Sequence, residues 1–266
     1  SRGFLNSYVY HQILKEEGVL SNEFRFIEVF VNGDSWGIYC LEEHLTSRMI
    51  TNQNKPNGVL LKFSDNSFFS AGEGTNTDGL IKEAKIKIYG DVKKDKSYKK
   101  EVKKAEQIIK DYQHRIDSVY NDFDANQTGL YYALCDLTTA YHAMGWINIR
   151  FYYNFETGKM EPVGYDAYPT LEWGKPYLGK KVYITQLDPF ETKMIIYSAL
   201  KNEAISEAYY KALNRITDEN YIKSFMDKHR SKLQLLEAEI QKEYDYRYDY
   251  DFLTARGEEI QKALSN

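Results

Sequence analysis

The stretch from Trp146 to Asp166, WINIRFYYNFETGKMEPVGYD, constrains this chain more than any other. Ile149 to Asn154 is rich in aromatic and branched residues, as strands are, and Phe155-Glu156-Thr157-Gly158 supplies a turn, so the segment predicts a β-hairpin. Folding about that turn sets Asn148 opposite Tyr165, within one register. Directly opposed strand positions lie about 5 Å apart, so Asn148 and Asp166 reach a common point. An amide oxygen and a carboxylate brought together suit a hard divalent cation. The plainer alternative is a hairpin whose Asn and Asp only cap its ends.

A chain of 266 residues supports one large domain or two small ones with a proper core. Its 35 basic and 39 acidic residues give a net charge of −4, which argues against a general nucleic-acid binder. No apolar run approaches the roughly 20 residues of a membrane span. The chain opens without methionine, already inside an amphipathic helical pattern, and reads as a cut piece of a longer protein. The lack of a targeting segment therefore carries no weight on location. Cys40 and Cys135 sit in apolar runs and read as two buried thiols, with a single disulfide as the alternative.

Along the chain, residues 4–17 read as a helix ended by Gly18. Glu23 to Val31 and Trp36 to Leu41 read as strands joined at Asn32-Gly33. A short helical stretch to Ile50, a polar loop and the strand Val59–Phe63 follow. Residues 64–79 read as a mobile loop or insertion, and Lys85 to Tyr89 as a strand. Apolar residues recur at helical spacing from Tyr98 to Val119. The lysines at 93–104 form that helix's solvated face rather than a nucleic-acid patch, because acidic residues interleave them. Asp124 to Ala143 predicts a buried helix leading into the Asn148 hairpin. From Asp188 onward the chain reads as helical, with starts at Asp188-Pro189 and Thr217-Asp218. The tyrosine-rich tract 244–251 interrupts it, as helix-to-core packing or as a sugar-stacking surface. Strands and helices first, then a helical half, point to an α+β fold with two lobes.

Three segments together resemble the CotH kinase family, the atypical kinases related to spore coat protein H. They are residues 26–44, with an Asn-Gly turn, Trp36-Gly37-Ile38-Tyr39 and Glu42-Glu43-His44; residues 58–63, whose strand presents Lys62; and the run from Asp136 through His142, Asn148 and Arg150–Asn154 to Asp166. The resemblance spans nearly the whole chain. Family members have further strands before the segment that begins here, so a single domain over 1–266, truncated at its N-terminus, is expected. Its small mixed lobe would cover 1–95. A mainly helical lobe would cover 96–266 and contain the 148–166 hairpin, in an atypical protein-kinase-like fold.

The resemblance implies phosphoryl transfer from ATP, with magnesium, to Ser/Thr hydroxyls of secreted or cell-envelope proteins. Such transfer needs positioning and charge neutralisation rather than covalent help. Asp166 and Asn148 would bind the metal, as an Asn followed through a hairpin by an Asp does in protein kinases. Lys62 would pair the nucleotide phosphates, and Glu42 or Glu43 would hold that lysine. Ordinary kinases place a catalytic Asp five residues before the metal Asn, where this chain has Ala143. The resemblance favours Asp136 as the base with His142 at the edge of the site. Read alone, each is equally a structural core residue. Two other functions remain: a non-catalytic kinase-like adhesion or interaction module, and a glycan hydrolase using Glu42 and Glu43. The last fits poorly, since adjacent strand residues point to opposite faces.

Overall fold

The computed structural model describes residues 3–70, 78–114, 116–167 and 199–265. The chain begins with α1 (Leu5–Glu16), whose Leu5, Val9, Ile13 and Leu14 are buried. Gly18, at φ 70°, turns the chain out of that helix. The strands β1 (Phe24–Val31) and β2 (Asp34–Glu42) form a two-stranded antiparallel sheet. Asn32 and Gly33 both have positive φ, which the tight turn between right-twisted strands requires. This hairpin carries much exposed apolar surface: Ile27, Phe30, Trp36, Tyr39 and Leu41.

After α2 (Ser47–Asn52) come β3 (Gly58–Phe63), α3 (Asn66–Ser70), α4 (Asp78–Glu83) and β4 (Ile86–Tyr89). Then follow α5 (Lys99–Gln113), α6 (Ala125–Leu137), β5 (Arg150–Asn154) and β6 (Lys159–Val163). The second sheet is antiparallel, in the order β4-β3-β5-β6, and draws strands from both sides of residue 95. One of its faces sends Val59, Leu61, Phe63, Phe151 and Tyr153 into the main core with α5 and α6. The other packs Leu60, Tyr152 and Val163 against Leu20, Leu45, Met49 and Ile50. The helices α7 (Glu203–Ile216), α8 (Glu219–Ile240) and α9 (Phe252–Leu264) follow among the described residues. Gly129 lets α6 and α7 meet closely: a Cβ there would lie 2.5 Å from the Tyr209 amide nitrogen.

Several expectations need correction. The 64–79 segment is not all loop, because α3 lies within it and α4 begins at Asp78, anchored by the buried Ile81. Gln113 Nε2 clamps that turn by donating to the carbonyls of Ile81 and Ala84. The helix expected to reach Val119 ends at Gln113, and residues 117–122 form a tighter 3₁₀ segment that folds Tyr120 and Phe123 onto Tyr112. The helix expected to reach Ala143 ends at Leu137. There Thr138 Oγ1 bonds back to the Leu134 carbonyl and Thr139 enters the left-handed region at φ 51°. Cys135 is buried but Cys40 is exposed on the hairpin, and no disulfide joins them.

Other expectations hold. Asp218 caps α8, accepting the Asn220 and Tyr221 amides, whereas the start at Asp188-Pro189 lies outside the described residues. The tyrosine tract packs inward: Tyr248 is buried, and Phe4 meets Tyr244 and Tyr246 at 5.3 and 4.6 Å between ring centres. The architecture is mixed α and β with small antiparallel sheets, consistent with α+β. Among the described residues no helix is long and apolar enough to cross a membrane.

Candidate functional site

The β5–β6 ladder runs from Arg150↔Val163 to Asn154↔Lys159, so its register extended two residues places Asn148 opposite Tyr165. Gly158, at φ 65°, closes the turn, and the Asn154 side chain accepts the amides of Glu156 and Thr157. At the open end, the Asn148 amide group donates through Nδ2 to the His142 carbonyl at 3.1 Å. Its Oδ1 is the atom that a cation would take. Asp166 holds φ 35°, and its Oδ2 lies 3.7 Å from His142 Nε2. His142 thus links the two: its carbonyl grips Asn148 and its ring approaches Asp166.

The chain leaving the hairpin is held on both sides. The Gly164 amide donates to the Leu20 carbonyl at 2.8 Å, and Ser7 Oγ of α1 donates to the Ala167 carbonyl. Beyond them a cleft of about 420 Å³ opens between α1, the β1–β2 hairpin and Asp166-Ala167. Glu42 and Asp166 are its acids, and Phe24, Phe26, Trp36 and Tyr39 form an aromatic wall. His11 also lines it, fully buried and stacked on Phe24 at 5.4 Å between ring centres, with Nδ1 held by Ser21 Oγ at 2.7 Å. Burial, and then the nearby Lys15 charge, press the His11 pKa down to about 3, so the ring is neutral at physiological pH.

The other expected residues are distributed unevenly. Glu42 accepts from Asn22 Nδ2 at 2.9 Å and faces the Asp166 cleft, whereas Glu43 accepts the Glu23 amide and lines a separate hollow. That split between neighbouring strand-end residues follows from the pleat and removes the geometry a paired-carboxylate hydrolase needs. Neither glutamate pairs with Lys62. Its ion pair is with Asp65 at 3.3 Å, because three residues separate them across the end of β3. Burial, and then the Arg150 charge, lower the Lys62 pKa.

Asp136 is fully buried. Its Oδ1 accepts from the Tyr141 hydroxyl at 2.5 Å and its Oδ2 from the Tyr209 hydroxyl. Arg256 closes the knot, donating to the Asp136 carbonyl and to the Tyr141 oxygen at 3.0 Å each. Among the described residues this carboxylate meets tyrosine hydroxyls and an arginine and is not in the lining of the Asp166 cleft. The break after α6 turns the chain, so His142 is carried to the hairpin while Asp136 stays inside.

Sequence reasoning did not single out Arg150 or His11 as site residues. Arg150 is 3 % exposed and its guanidinium lies 4.2 Å from the Tyr165 ring centre. The signal for it was a lone cation in an otherwise aromatic strand. The signal for His11 was a polar ring four residues after Ser7 on the buried stripe of a helix.

Among the described residues no three His, Cys, Asp or Glu side chains converge to hold a metal by themselves. A cation at Asn148 and Asp166 would therefore complete its shell with ligand oxygens and water, as magnesium commonly does. The donor chemistry fits such an ion: an amide oxygen on Asn148 and the anionic Asp166, the second of which lines the cleft. A comparison with curated proteins finds no match. The family model described as CotH kinase protein matches residues 2–265. The chain therefore belongs to the CotH kinase family.

Proposed function

We propose that this protein is an atypical Mg-ATP-dependent kinase that phosphorylates Ser/Thr hydroxyls of secreted or cell-envelope proteins. In this reading the fold is a two-lobed, kinase-like one. Residues 1–95 serve as the small lobe and residues 96–266 as the helical lobe. The observation that carries the reading is the Asn148–His142–Asp166 arrangement at the open end of the hairpin. Family membership supplies the kinase character.

Asn148 Oδ1 and an Asp166 oxygen would hold magnesium, which would neutralise phosphate charge when bound. Lys62 pairs the nucleotide phosphates. The acceptor hydroxyl oxygen bonds to the γ-phosphorus, the bond to the bridging oxygen breaks, and ADP leaves. The hydroxyl proton passes to His142, the basic group nearest the metal pair. Asp136 acts from beneath as a positioning residue, fixing Tyr141 and hence the turn that carries His142. Glu42 shapes the acidic wall of the cleft, and Glu43 braces the start of β1.

The test is calorimetric ATP binding with and without magnesium, followed by radiolabel transfer to Ser/Thr-containing acceptors. Wild-type protein is expected to bind Mg-ATP, with at least a tenfold loss in Asp166→Ala and in Asn148→Ala. Absence of magnesium-dependent ATP binding by folded wild-type protein sinks the enzyme reading. The exposed aromatic hairpin favours the second reading, a kinase-like interaction module. Partner or glycan binding that survives Asp166→Ala in a protein without ATP binding distinguishes it.

A further inference from the structure

In the four-stranded sheet, Lys62 of β3 lies directly opposite Lys87 of β4 and directly opposite Arg150 of β5. Opposed residues of antiparallel strands share a face with Cβ atoms about 5 Å apart. Three cations therefore stand in one row across three adjacent strands. Like charges placed this way repel, and sheets ordinarily avoid the arrangement.

The row is also poor in acids. Asp65 is its ion-pair partner, through Lys62 at 3.3 Å. The next carboxylate on that face, Glu161, is engaged by Lys55 at 2.8 Å and Asn154 at 3.1 Å. Arg150 spends Nη1 on the carbonyls of Ile147 and Ile149 and lies against the Tyr165 ring. Its buried Nε has no hydrogen-bond partner among the described residues. Tyr89 and Tyr165 supply the neighbouring hydroxyls. Among the described residues three cations have one ion-pair partner, Asp65, which leaves a positive excess in a half-buried place, opposite in sign to a phosphoryl dianion.

We propose that Lys62, Lys87 and Arg150 form a phosphoryl-anion site. The shared ligand chemistry is a phosphoryl oxyanion, carried by a nucleotide or free as phosphate or pyrophosphate. Arg150 supplies guanidinium donors, Lys62 and Lys87 supply ammonium groups, and Asp65 holds Lys62 at 3.3 Å. The nucleotide form of the site rests on the kinase reading, whereas the anion site itself does not require phosphoryl transfer.

The probe is pyrophosphate without magnesium, titrated into the whole chain by calorimetry at two salt concentrations. Wild type is expected to bind it, more weakly at higher salt, with at least a tenfold loss in Lys62→Met and in Lys87→Met. Lys100→Ala, on the exposed face of α5, retains wild-type affinity. Removing one cation relieves repulsion, so Lys87→Met is expected to melt no lower than wild type without ligand. That outcome separates lost binding from lost folding. Asp166→Ala is expected to lose Mg-ATP binding yet keep magnesium-free pyrophosphate binding, so the two readings fail separately. Displacement of pyrophosphate by ATP but not by adenosine identifies the nucleotide as the source. Binding that ATP does not displace identifies the free oxyanion. No pyrophosphate binding by wild type, or undiminished binding in the folded Lys62→Met and Lys87→Met variants, overturns the site.

Discussion

At the scale of single residues, the sheet end and α1 hold ionisable groups that burial has moved far from their ordinary behaviour. His11 is the clearest. Its folded pKa of about 3 lies below that of an exposed histidine, so between pH 6.5 and 3 the unfolded chain binds a proton the folded chain refuses. Stability then rises with pH across that window, by up to about 1.4 kcal/mol per pH unit from this group. Urea unfolding of wild type between pH 5 and 7 is expected to show the slope, and His11→Gln to flatten it. Asp136 gives a second prediction. Asp136→Ala removes the carboxylate that accepts from two buried tyrosine hydroxyls and faces Arg256 at 3.9 Å, at a cost of about 3–5 kcal/mol. Full stability with lost phosphoryl transfer in that variant would instead make Asp136 the base. The placement of Asn148 opposite Tyr165 was legible in the sequence because a hairpin fixes its own register. The enclosure of Asp136 was not, because Tyr209 and Arg256 arrive from 73 and 120 residues away.

At the scale of elements, what the sequence displayed was periodicity, and what it hid was where periodicity stops. Both hairpins and the strand carrying Lys62 were readable from their turn residues and alternation. The ends of α5 and α6 were not. The apolar spacing continues past Gln113 and Leu137, while the backbone leaves the helix for tertiary reasons: Tyr112 stacking in one case and a Thr138–Thr139 reversal in the other. Likewise, no local pattern announced that β3 would stand between β4 and β5, so the cation row was invisible. The α6–α7 contact yields the prediction at this scale. Gly129→Ala places a methyl group against the Tyr209 and Ala208 backbone, which cannot yield as a side chain tip would. Guanidinium unfolding is expected to show a loss of about 1–3 kcal/mol.

At the scale of the molecule, one continuous core runs from Leu5 of α1 through β3 and β5 to Ile260 of α9. Both proposed lobes feed it, so calorimetry is expected to record a single unfolding transition. The β1–β2 hairpin stands apart, contributing Phe24 to the buried set while five of its large apolar side chains remain exposed. Few buried contacts mean a low opening free energy. Its amides are expected to exchange with deuterium faster than those of β3 and β5, and equal protection would contradict the description. Arg256 has one further consequence, concerning time rather than space. It follows Asp136 by 120 residues, yet it bonds the Asp136 carbonyl and faces its carboxylate. A polypeptide emerging from the ribosome N-terminus first therefore holds the Asp136 carboxylate without its cationic neighbour until α9 has been made. Completion of the knot behind the turn bearing His142 thus waits on the synthesis of α9.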